Sequence, residues 1–334
     1  MKTKIKIMNT IKATCKNKDH IKLTIGTLAN GKKTITVFNQ DGKIKNDNYI
    51  YEIGSISKTF TASLLAKEIY LGHMQLNDPI NKYIKNLRPN ITYPTLKQLA
   101  THTAGYPTHL PMTKLEYLSI IKDLMLHGAI NKGLFPFDMD YAKMKQLIYD
   151  NPQKHTSYKW KYSNLGMAIL GYCLGVSTGN GFNNSMDSFI KNDLALKNTF
   201  LGTDPNKNLH GYSKKNENFG NWQWGDDFSA PAGSISSCAD DLLDYANFNI
   251  NNTLPFLNMC HKTYAKAPGL CMGLGWLKTK KDVLLHAGGT GLFSTYLAFD
   301  KNSQVACTVL SNYIIDVTTL CNLIIKHLQN QEVL

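Results

Sequence analysis

The fold turns on residues 51–72, YEIGSISKTFTASLLAKEIYLG. Gly54 stops an apolar run, Ser55 and Ser57 follow two apart, Lys58 comes next, and the pattern then turns helical for about four turns. In the plain reading a serine caps the helix, its oxygen accepting a backbone N–H, and Lys58 is a solvated charge. In the sharper reading Ser55 and Lys58 share a helix face, with Cβ atoms roughly 5–6 Å apart, so the lysine reaches the Ser55 hydroxyl. Burial would then lower the lysine pKa until it can take the serine proton, and the helix N-terminus would favour negative charge developing beside Ser55. Ser57 is the wrong partner, because adjacent helical residues point about 100° apart. The tetrapeptide alone leaves both readings open.

The rest of the chain narrows the class. Its 334 residues can bury a large core, and 43% hydrophobic with 18% charged residues is an ordinary globular composition, which argues against disordered and fibrous classes. The net charge of +13 points to nucleic acid, an anionic surface or an anionic substrate, but the lysines are scattered. Arg88 is the lone arginine, and phosphate or guanine reading favours Arg, so no nucleic-acid partner is expected. Seven cysteines form no C-x-x-C pair and read as small buried hydrophobes, and the histidines lack metal-ligand spacing, so no structural metal is expected. Lysines interrupt every apolar run near the N-terminus, and no eighteen-residue apolar stretch occurs, so no transmembrane segment is expected. The expected location is cytoplasmic, or secreted or periplasmic if a leader has been removed; the oligomeric state is not legible.

Outward from the opening stretch, Ile7, Met8, Ile11 and Cys15 mark a short amphipathic helix. HIKLTIGTLANGKKTITVFNQDGKI, residues 20–44, reads as strand, turn at Asn30-Gly31, strand, and a second turn at Asp41-Gly42. From about residue 75 to 200 the strand signals fade into short helices punctuated by Pro and Gly. Asp240 and Asp241 open a later helix, and strands return in GLGWLKT, DVLLHAG, FSTYLAFD and QVACTVLSNY before an amphipathic helix over 317–329. The expected fold class is α+β: an antiparallel sheet domain from residues 1–70 and 232–334, flanked by terminal helices, with a mainly helical domain, 71–231, inserted. Ser55 lies near the junction, where a cleft is expected.

Two distant stretches join the first. KWKYSNLGMAILG, residues 159–171, places Tyr162, Ser163 and Asn164 before a helical run, and LLHAGG, residues 284–289, ends a strand with His286, Gly288 and Gly289. Each has a plain reading: a core aromatic, a helix N-cap at Ser163 or Asn164, a glycine turn. In this order, with S-x-x-K, the chain resembles the serine β-lactamase and penicillin-binding-protein superfamily. The specific likeness is to the branch holding class C β-lactamases, D-alanyl-D-alanine carboxypeptidases, D-aminopeptidases and esterases. The resemblance spans nearly the whole chain and implies a β-lactamase/transpeptidase-like fold.

It also implies roles. Ser55 attacks a carbonyl, Lys58 helps remove its proton, and Tyr162 is a general base or shuttle, its phenol pKa lowered from about 10 by cationic neighbours. Asn164 would hydrogen-bond a substrate amide or the lysine, the backbone N–H groups of Ser55 and Gly289 would form an oxyanion hole, and Gly288 would keep a side chain out of the cleft. No metal or organic cofactor is required. His286 stands where class C enzymes carry lysine, a weaker anchor for a carboxylate, which puts antibiotic hydrolysis in doubt. The expected substrate is a small molecule or short peptide: a D-amino-acid peptide first, then an ester or a β-lactam. A non-catalytic binding or sensor protein on the same fold is the rival class.

Plain readings cover the remaining features. His102 fixes a loop, Glu116 is a surface helix residue, Asp240 and Asp241 favour a helix N-terminus, and Trp222 and Trp224 line the cleft or pack in the core.

Overall fold

The computed structural model describes residues 2–108, 113–130, 140–150, 152, 158–222 and 228–330. Helix α1 (Lys2–Cys15) buries Ile7, Ile11 and Cys15, whereas Met8, one residue off that stripe and so about 100° round the helix, is exposed. Strands β1 (Leu23–Ala29), β2 (Lys32–Asn39) and β3 (Gly42–Ile44) follow. Asn30 and Gly31 both take positive φ, 51° and 71°, the conformation a tight two-residue hairpin requires. The two-residue β4 (Tyr51–Glu52) leads through a 3₁₀ turn, Gly54–Ile56, into α2 (Ser57–Tyr70).

The middle is mainly helical: α3 (Leu96–Ala100), α4 (Lys114–His127), α5 (Tyr141–Asp150), α6 (Asn164–Thr178) and α7 (Phe182–Ser188). Thr95 with Gln98 and Thr113 with Glu116 form reciprocal capping boxes, so Glu116 is a surface residue whose carboxylate accepts from Thr113 N at 2.7 Å. Three short strands follow, β5 (Phe200–Leu201), β6 (Gly211–Tyr212) and β7 (Asn218–Gly220). Next come α8 (Ala230–Gly233), β8 (Ile235–Ser237), α9 (Ala239–Asn251) and α10 (Leu257–His261). At the start of α9, Asp240 pairs with Lys33 at 2.7 Å, while Asp241 turns inward to accept from Asn198 N and Thr199 Oγ1.

The chain ends with β9 (Ala265–Ala267), β10 (Leu270–Met272), β11 (Leu277–Lys278), β12 (Leu284–Gly289), β13 (Ser294–Asp300), β14 (Val305–Ser311) and α11 (Val317–Gln329). Among the described residues these strands and the first three form a nine-stranded sheet, ordered β3-β2-β1-β14-β13-β12-β11-β10-β9, with antiparallel neighbours throughout. Strands from the two ends of the chain meet where Leu23 faces Ser311.

The centre of the sheet is buried on both faces, and the two-residue period sorts its side chains. Val305, Cys307 and Val309 pack with Ile7 and Ile11 of α1 and Leu320 and Ile324 of α11; Ala306 and Leu310 face α9 and the helical core. At Gly26 a Cβ would lie 3.1 Å from Leu243, so the glycine lets α9 approach the sheet. All seven cysteines are free thiols, six of them buried, as small core residues should be. Among the described residues no helix is long and apolar enough to cross a membrane.

Candidate active site

Ser55 lies in the 3₁₀ turn at the head of α2, and the plain capping reading does not hold there: no serine side chain caps the helix. Lys58 Nζ instead donates to Ser55 Oγ at 2.9 Å and to the Ala232 carbonyl at 2.5 Å. The ammonium position is fully enclosed, and burial holds the lysine pKa well below its ordinary value, favouring the neutral amine. Ser57 points elsewhere, its Oγ accepting from Ile235 N at 3.0 Å. With Thr61 Oγ1 donating to the Pro231 carbonyl, that bond pins α2 against α8 and β8, so the segment PAGSI supplies the lysine's second acceptor.

Tyr162 precedes α6, where Ser163 is the N-cap, its Oγ accepting from Gly166 N at 2.9 Å. The phenol O–H donates to Ser55 Oγ at 2.7 Å. Burial pushes its pKa up, with the Ser55 bond opposing, so the expected lowering by cationic neighbours is corrected. Lys58 Nζ does lie 4.9 Å from the ring centroid, but its own burial keeps it toward neutrality and leaves little charge to act. Asn164 begins α6, its N–H donating to the Thr108 carbonyl. Among the described residues its side-chain amide makes no hydrogen bond, to Lys58 or elsewhere. His102 fixes the neighbouring loop as expected: it holds a left-handed φ of 57°, its carbonyl accepts from Lys161 N, and its ring lies 4.6 Å from that of Tyr162.

The third stretch forms β12. Pairing with β11 stops at Leu285, while pairing with β13 runs on to Gly289, so the other edge of 287–289 has no strand beside it among the described residues. His286 is buried, and its Nδ1 lies 2.7 Å from the Gly275 carbonyl. A carbonyl can only accept, so Nδ1 carries the proton and Nε2 keeps its lone pair. Burial, against the raising by its bond to the Gly275 carbonyl, brings the His286 pKa down to about 3, so the imidazole is neutral and supplies no positive charge. Gly288 is required for a different reason from the one expected: its Cβ would meet the Ile53 carbonyl at 2.0 Å and Thr295 Oγ1 at 2.2 Å, behind the strand. A Cβ at Gly289 would meet only the Phe293 carbonyl, at 3.7 Å.

Two residues near Ser55 have roles that the sequence did not reveal. Gly54, at φ 52°, backs onto the Gly289 peptide and brings the Ser55 turn to β12. Glu52, an acid in the apolar run YIYEIG, is 1% exposed and accepts from Trp222 N at 2.7 Å. Burial raises its pKa to about 8, against the lowering from Trp222, Thr290 and Asn221. A charge inside an apolar strand was the available signal. Trp222 is buried against Gly291, and Trp224 lies outside the described residues.

Comparison with known proteins bears on this geometry. The family model for Beta-lactamase matches residues 31–314. A beta-lactamase of Pseudomonas fluorescens is 26% identical over 302 residues, covering 84% of this chain and 77% of the relative. The D-alanyl-D-alanine-carboxypeptidase/endopeptidase AmpH of Escherichia coli K12 is 23% identical over 285 residues, covering 78% and 70%. A solved beta-lactamase/D-alanine carboxypeptidase from Pseudomonas syringae superposes over the full length of both chains with a TM-score of 0.80 at 17% identity. The fold is thus α+β of the β-lactamase/transpeptidase type.

Proposed function

The chain belongs to the beta-lactamase family and is a serine hydrolase, and from that premise we propose that it cleaves peptides containing D-amino acids through an acyl-enzyme on Ser55. The observation that carries the reading is the convergence of Lys58 Nζ and Tyr162 Oη on one oxygen, Ser55 Oγ, at 2.9 and 2.7 Å.

For attack the neutral Lys58 amine turns its lone pair to the Ser55 O–H and takes that proton as Oγ bonds to the substrate carbonyl carbon. The N–H groups of Ser55 and Gly289 receive the oxyanion, each donor worth about 2.7–4 kcal/mol in such sites. Tyr162, protonated at rest, gives its proton to the leaving nitrogen as the C–N bond breaks and regains one from Lys58. Water then attacks the ester, its proton passes to the lysine and tyrosine pair, and Ser55 leaves reprotonated. The side-chain amide of Asn164 is available to a substrate amide.

The name of the AmpH relative supports a peptidase, while the Pseudomonas fluorescens relative is a beta-lactamase, and the neutral His286 weighs toward the former. With no fixed cation at that position, a substrate carboxylate gains little there, which favours amides set away from a free C-terminus. It also supports a second reading, a carboxylesterase, over efficient β-lactam hydrolysis.

The test is turnover and intact-mass spectrometry of wild type and Ser55→Ala with D-alanyl peptides, their L-diastereomers, an activated ester and a penicillin. D-selective cleavage lost in the variant is expected. Ester turnover without peptide cleavage would transfer the assignment to an esterase, rapid penicillin turnover to a β-lactamase. Undiminished turnover in Ser55→Ala would overturn the nucleophile.

A further inference from the structure

Trp160, whose ring meets that of His102 edge-on at 6.2 Å, also lines a groove of about 860 Å³. Tyr158 and Tyr264 line it as well, together with Lys97, Lys159 and Lys266. No carboxylate lines the groove among the described residues, and none of these three lysines takes part in an ion pair with another described residue. The three-residue β9, an edge strand of the sheet among the described residues, also lines it, and no described strand pairs with its outer side.

We propose that this groove binds an extended peptide carrying several carboxylates, its backbone laid along the edge of β9 and its acidic side chains at the three lysines. A local excess of positive charge with no acid to neutralise it attracts anions. Aromatic faces and an open strand edge then select a polypeptide among them, because an edge supplies the main-chain partners of an added strand. The amide side chain of Asn77 also lines the groove. The groove is not lined by Ser55, Lys58 or Tyr162, and the failure of this proposal would leave the hydrolase reading untouched.

The experiment titrates a labelled acidic hexapeptide of L-residues into the full-length chain carrying Ser55→Ala, which removes turnover from the readout. Saturable binding that weakens steeply between about 50 mM and 0.5 M salt is expected. Lys159→Gln combined with Lys266→Gln should weaken it by about tenfold at unchanged Tm, the sum of two exposed charge contacts. Methylating alternate backbone nitrogens of the peptide should weaken it by a similar factor. Absence of binding, indifference to the lysine substitutions, or indifference to backbone methylation would each overturn the proposal. So would binding of inorganic polyphosphate in place of the peptide, which would make the groove a phosphate-polymer site.

Discussion

Gly54 and Gly289 lie back to back, so close that a Cβ on Gly54 would fall 2.6 Å from the Gly289 nitrogen and 2.7 Å from its oxygen. The contact joins the turn that carries Ser55 to the strand that carries the proposed second oxyanion donor. Gly54→Ala adds a left-handed φ to this clash and should push β12 away. We expect kcat/KM to fall by about 10²–10³, the value of one oxyanion donor. Gly289→Ala, with its nearest atom 3.7 Å away, should leave Tm nearly unchanged. Equal effects of the two substitutions on Tm and on kcat/KM would show that the approach does not matter.

Tyr162→Phe keeps the buried ring and removes the hydroxyl that donates to Ser55 Oγ. The variant should fold with wild-type stability, within about 1 kcal/mol, and lose about 10²–10⁴ in kcat. Wild-type kcat for both ester and amide substrates would remove Tyr162 from the proton path.

Lys58 is disfavoured as a cation in the folded chain and protonated in the unfolded one. The unfolded state therefore binds the extra proton at neutral pH, and wild-type stability rises as the pH climbs toward the ordinary lysine value near 10.5. Lys58→Met should be inactive yet show a higher Tm at pH 7, with the advantage shrinking toward pH 10. Thermal denaturation across that range measures it, and an advantage that grows with pH would reverse the assignment.

Glu52 gives the opposite slope. Its folded pKa of about 8 exceeds the ordinary 4.5, so between those values the folded state holds the extra proton and stability falls as the pH rises. Glu52→Gln keeps the acceptor for Trp222 N and removes the titration. Its Tm relative to wild type should climb from pH 5 to pH 8, and a difference independent of pH would mean that the carboxyl is ionised throughout.

His286→Gln can still donate to the Gly275 carbonyl. Because His286 titrates near pH 3, the pH profile of kcat/KM between 5 and 8 should keep its shape in the variant. Disappearance of an inflection near 6 to 7 would show that the imidazole titrates during catalysis.

Much of this was legible in the chain. The Asn30-Gly31 hairpin, the alternating strands of the C-terminal half and the helix after Ser55 depend on backbone preferences and periods set by neighbours a few residues away, and they lie where the sequence places them. The pairing of Ser55 with Lys58 was legible for the same reason, since three residues span about one helical turn. The two- and three-residue strands β4 to β10 were not, because so few residues carry no period.

What sequence alone determined about this protein is its set of chemical groups, the order of its elements and, through three short motifs, the family. Tertiary structure decided how those groups behave. Lys58 and His286 are held toward neutrality, Tyr162 protonated and Glu52 titrating near 8 because atoms far away in the chain exclude water from them. Gly54 and Gly288 are needed because Gly289, Ile53 and Thr295 come within contact distance, and the proton on His286 sits on Nδ1 because Gly275 presents a carbonyl. Desolvation and close approach sum over neighbours brought together only by folding, so no local stretch of sequence carries them.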